Sequence, residues 1–256
     1  MIFAGLSGLV AVAAGWLVTW RLFALARRTR AVPERLLALA FGGLFCVGYP
    51  LAGASRAPGL ALTHEGSLLF AMGAIGMVVG VSALGRFPYV VFRPDTPWAR
   101  GLAVLIAVSG SAGGIGCAVA VTRASTQTEM VRNIQVWALA LVGAVFAAYL
   151  WNALESLRYY GNMKRRVALG LATRETTHRF LLWALASGAS VVSLASIMVI
   201  RASGGAILDP IPMAIISCTT FVTTTCWCLA FFMPESYRRG VLGAEPGDPT
   251  ERREST

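Results

Sequence analysis

Long apolar runs, separated by short polar stretches, set the rhythm of this chain. They extend from about Ile2 to Trp20, Leu36 to Ser55, Ser67 to Leu84, Leu102 to Val121, Ile134 to Leu154, Phe180 to Ile200 and Ile211 to Met233. Each has about the 17 to 25 residues that a helix needs to cross a hydrocarbon core about 30 Å thick. No Asp, Glu, Lys, Arg or His interrupts any of them. Lipid offers the backbone no hydrogen-bond partner, so only helices or closed barrels span it, and runs of this length predict helices. The expected fold is an all-α integral membrane protein, a seven-transmembrane-helix bundle over residues 1–239. A cytoplasmic tail, 240–256, rich in Gly, Pro and charge, is expected to be disordered. The longest gap, Glu155 to Arg179, is too short for an independent soluble core.

Local chemistry at the run edges refines the boundaries. Thr96 before Pro97 and Asp209 before Pro210 each place a capping side chain ahead of a proline suited to a first turn. Thr126 and Glu129 have capping-box spacing, which starts the fifth helix near Gln127. Continued through Tyr160, that helix would be about 50 Å long, well beyond the hydrocarbon. Met1 to Gly5 carry no basic side chain, so the first run is expected to be a retained helix and not a secretory signal.

Charge adds direction. Arg21, Arg27, Arg28, Arg30 and Arg35 fall in one gap; Arg86, Arg93 and Arg100 in the next alternate gap; Arg158, Lys164, Arg165, Arg166, Arg174 and Arg179 in a third. With Arg238, Arg239, Arg252 and Arg253 these account for all of the 22 basic residues except Arg56, Arg123, Arg132 and Arg201. Basic loops stay in the cytoplasm, so the expected N-terminus is outside, the C-terminus is inside, and the location is the plasma (cytoplasmic) membrane. The net charge of +10 then needs no nucleic acid to explain it. Its expected partner is the bilayer itself, through anionic headgroups on the cytoplasmic side.

Chemistry inside the spans is sparse. Cys46, Cys117, Cys218, Cys226 and Cys228 all lie within apolar runs and read as packing residues. His64 and His178 sit at opposite ends of their helices, a membrane thickness apart, so no shared metal or haem is expected. Seven helices with an outside N-terminus share the topology of retinal proteins and G-protein-coupled receptors. Lys164, the only lysine, lies in a polar gap, so the lysine that retinal requires in the last helix is missing. Proton relays and ion-coupled carriers keep ionisable groups within the bundle, and these spans have none.

Two groups of residues remain as candidate sites. Asn152, Glu155 and Tyr159 share a face at the inner end of the fifth helix, with Arg158 beside them and Lys164, Arg165 and Arg166 beyond. Glu155 could pair with Arg158 or with a basic residue of a neighbouring helix and act as a latch, while the basic segment offers a partner contact. The apolar residues Val167 to Ala172 could form an interfacial helix. In the seventh run, Ser217, Thr220 and Thr224 form a hydroxyl stripe that suits a small-molecule site or helix packing. Gly73, Gly76 and Gly80, and Gly110, Gly113 and Gly114, predict close helix approach.

The expected function is a non-enzymatic sensory or receptor-like module. It would recognise a small molecule, a lipid or a membrane state, without a cofactor or metal, and signal through a separate protein partner or a homo-oligomer. The alternatives are a structural or assembly subunit of a larger membrane complex, and a transporter or channel for neutral or lipid-like solutes. An interfacial lipid enzyme would depend on Glu155 or Glu235 as its base.

Overall fold

Each apolar run is helical in the computed structural model, which describes residues 2–203 and 209–242. The helices are α1 (Ile2–Thr29), α2 (Val32–Phe41), α3 (Tyr49–Ala54), α4 (His64–Phe92), α5 (Pro97–Arg123), α6 (Gln127–Ala168), α7 (Arg174–Ala202), α8 (Pro210–Phe232) and α9 (Glu235–Leu242). A π-helical segment, Gly42–Gly48, joins α2 to α3. Among the described residues there is no strand, and seven helical segments are long and apolar enough to cross a membrane. Residues 240–242 of the tail belong to α9. The disorder expected of the rest, 243–256, concerns residues outside those described.

Capping follows the sequence only in part. Thr126 accepts the Glu129 N–H at 3.2 Å, and Glu129 Oε2 accepts the Ser125 N–H at 3.0 Å, so α6 starts at Gln127 as expected. Thr63 and Thr173 accept the N–H groups of Gly66 and Thr176 at the starts of α4 and α7. Thr96 and Asp209 hold the cap positions without a side-chain hydrogen bond. The proline after each already removes one orphan N–H from the first turn, which lowers the need for a cap.

Two helices depart from their runs. The second run is not one regular helix, because Pro50 has no N–H and the preceding turns widen until Tyr49 N–H reaches Leu44 O, five residues back. The helix of the fifth run, α6, is longer than expected: 42 residues, roughly 63 Å at 1.5 Å per residue. It absorbs Lys164, Arg165 and Arg166, so Val167 to Ala172 form no separate interfacial helix. The turn closes at Gly170, whose φ of 70° only glycine adopts without penalty. Leu171 N–H bonds to Arg166 O and Gly170 N–H to Val167 O, a Schellman ending.

The helices form a ring in chain order, closed where α8 meets α1, and α4 also packs on α6. Apolar side chains gain little from leaving lipid, so packing between helices depends on close backbone approach. Gly43 of the π segment lies against Gly76 and Gly80 of α4: a methyl group at Gly43 would stand 2.6 Å from Gly76 O and 2.7 Å from Gly80 N. The expected close approach of the α4 glycines is thus found, and its partner is the π segment. Gly113 likewise meets the backbone of Leu141 in α6.

Aromatic rings occupy the middle of the ring of helices. Phe41 lies 4.6 Å from Trp227 and 6.1 Å from Trp183, centroid to centroid, and Phe45 lies 5.2 Å from Trp227. Phe87, Tyr149 and Phe231 extend this cluster, so α2, the π segment, α4, α6, α7 and α8 share one core.

Candidate functional site

At the basic end of the bundle, α4 runs past its apolar stretch to Phe92, with Arg93 at its C-cap, while α6 passes beside it through Glu155. Arg93 Nε donates to Glu155 Oε1 at 2.9 Å and Arg93 Nη2 to Glu155 Oε2 at 3.1 Å, a two-pronged ion pair. The Glu155 side chain is 7% exposed and that of Arg93 31%. This hydrogen bonding, with the carboxylate's charge, pushes the Arg93 guanidinium above its ordinary pKa. The guanidinium also lies 6.0 Å from the Trp98 ring centroid. Phe92, Tyr159 and Phe180 pack together beside the pair, with Tyr159 and Phe180 4.8 Å apart, so α4, α6 and α7 converge here.

One turn earlier on α6, Asn152 is fully buried. Its Nδ2 donates to Ala148 O at 2.8 Å and across to Leu84 O of α4 at 3.2 Å. Leu84 is four residues before Pro88, a proline inside the helix, so its carbonyl has no helical N–H to accept. The asparagine amide replaces the bond that the proline removed. Asn152 and Glu155 therefore join the same two helices, through a neutral link in the core and a charged one at the rim.

A second polar cluster ties α9 to α7. His178 Nε2 and Tyr237 Oη are 2.9 Å apart, Arg179 bonds to Glu175 at 2.6 Å, and Arg238 lies 3.9 Å from Glu175. Tyr237 thus joins α9 to α7. Arg158 is exposed and Glu155 turns to Arg93 instead. Lys164, Arg165 and Arg166 are exposed on the last turns of α6, where the Lys164 ammonium lies 5.9 Å from the Tyr160 ring.

The hydroxyl stripe of α8 faces other helices. Ser217 is buried with its Oγ 3.4 Å from Ser7 Oγ of α1. Thr223, outside the stripe, donates to Ala186 O of α7 at 3.2 Å and meets Ser190. Thr224 is buried and its hydroxyl has no hydrogen-bond partner, and Thr220 is half-buried. None of Ser217, Thr220 and Thr224 lines the large groove between α1, α2 and α4.

Comparison with protein-family models, curated proteins and solved structures finds no match. Asn152 and Glu155 stand out along the chain, whereas Arg93, Leu84 and Pro88 join them only through the fold. A proline close to the end of an apolar run, four residues after Leu84, was the available signal for an orphan carbonyl.

Proposed function

We propose that the chain is a non-enzymatic, receptor-like module of the cytoplasmic membrane, with its N-terminus outside and its basic end in the cytoplasm. The observation that carries this reading is the Arg93–Glu155 pair. A charge pair at the joint of two helices has two discrete states, made and broken, and so can hold a helix in one of two positions. Beyond Glu155, α6 continues to Ala168, roughly 20 Å further at 1.5 Å per residue. A small rotation at the pair is amplified along that extension. Arg158, Lys164, Arg165 and Arg166 ride on it and present positive charge to a separate acidic partner.

The test places spin labels at Asp95→Cys and Lys164→Cys in full-length protein whose native cysteines have been replaced, reconstituted in bilayers. Glu155→Gln is expected to add a second inter-label distance to the population seen with Glu155. An unchanged single distance in both Glu155→Gln and Arg93→Gln would show that the pair is not a latch.

A further inference from the structure

On the outer side of the ring, α1, α2 with its π segment, and α4 enclose an open groove of about 950 Å³. Its origin is the contact of Gly43 with Gly76. Without side chains the two backbones approach closely, while Leu39, Val47, Ile75 and Val79 stand up on either side. The walls are apolar and open outward: Leu39 is 53% exposed and Ile75 66%. One wall contains the π segment, a helical distortion frequent at functional sites.

Arg27, Arg30 and Arg35 stand at one mouth of this groove. Arg27 lies over the Phe23 ring at 4.8 Å. Arg30 ends α1 in the left-handed region, φ 55°, at a position where glycine is usual. That backbone is strained for a residue with a Cβ, and strain of this kind clusters at ligand clamps. None of the three arginines has a carboxylate partner among the described residues. Glu34, adjacent to Arg35, has a buried Oε2 without a hydrogen bond and forms no ion pair with them.

From Arg35 to Val47 the groove descends roughly 18 Å at 1.5 Å per residue. One leaflet, half of the roughly 30 Å hydrocarbon core, has about that depth. The geometry points to a binding site for an anionic glycerophospholipid, with its phosphate among Arg27, Arg30 and Arg35 and one acyl chain in the slot beneath. A free phosphate would leave the apolar slot unused. A second copy of the chain, related by a two-fold axis on this face, would set the two arginine groups against each other. The lipid occupies the groove from the cytoplasmic leaflet, and its seat on α4 places it on the helix that carries Arg93. The site rests on the sensory reading for its role, but its occupancy is measurable without any helix displacement.

The experiment is native mass spectrometry of the full-length chain, delipidated in detergent and titrated with phosphatidylglycerol or phosphatidylcholine. Each arginine at a membrane surface strengthens the hold on an anionic lipid roughly fivefold. Phosphatidylglycerol is therefore expected to be retained more than about tenfold over phosphatidylcholine. The combined Arg27→Gln, Arg30→Asn and Arg35→Gln variant should lose that preference. Ile75→Trp keeps every charge and fills the slot, so it should lower retention, whereas Val108→Trp on the exposed face of α5 should not. Equal retention of the two lipids, unchanged retention in Ile75→Trp, displacement by inorganic phosphate alone, or a lipid-free dimer in place of the lipid adduct would each overturn the proposal.

Discussion

The Asn152 amide of α6 donates to Leu84 O of α4 at 3.2 Å, the carbonyl that Pro88 leaves without a helical partner. A backbone carbonyl stranded in an apolar interior costs about 1–3 kcal/mol, so this one side chain permits a proline inside the last turns of a packed helix. It also makes the α4–α6 contact specific, since only a donor at that position of α6 meets the need.

Asn152→Leu keeps the volume and removes the donor. It is expected to destabilise the protein by about 1–3 kcal/mol. In a Pro88→Ala background the restored backbone N–H can bond Leu84 O, so the same substitution should cost less. A double-mutant cycle on thermal unfolding in detergent checks this, and additive effects would break the link between the two residues.

The rim pair should respond unequally to loss of either partner. Arg93→Gln strands a carboxylate whose side chain is 7% exposed, whereas Glu155→Gln strands a guanidinium that already reaches solvent at 31%. Arg93→Gln should therefore lower stability more than Glu155→Gln does, because the carboxylate it strands is the less hydrated partner. Unfolding midpoints of the two variants in one detergent test the order.

Glycines offer a third test. A methyl group at Gly43 would press on the backbone of Gly76 and Gly80, so Gly43→Ala should destabilise by about 1–3 kcal/mol. Gly143 of α6 has open space around it, and Gly143→Ala should be neutral or stabilising by up to about 1 kcal/mol. Equal behaviour of the two would mean that the π segment and α4 do not touch as described.

Two neighbouring threonines of α8 should also differ. Thr223 bonds to Ala186 O, so Thr223→Val removes a made hydrogen bond and should cost about 1 kcal/mol. Thr224 is buried without a partner, so Thr224→Val removes an unsatisfied hydroxyl and should leave stability unchanged or slightly raised. Loss of solute flux in liposomes on Thr224→Val would instead favour the transporter reading.

Much of this architecture is legible along the chain. Hydropathy is a property of consecutive residues, so each of the seven apolar runs corresponds to one of the seven helical segments long enough to span a membrane, and the capping pair Thr126 and Glu129 marks the start of α6 because both partners lie within one turn. The charge segregation, likewise local, supplies the proposed orientation. Tertiary structure alone decided the rest. Glu155 had Arg158 close by in sequence, but it pairs with Arg93, 62 residues away, because α4 ends where α6 passes. The orphan carbonyl of Leu84, the π turns beside the α4 glycines and the arginine-rimmed groove all arise between helices. Each depends on which faces come into contact, a relation that no window of consecutive residues contains.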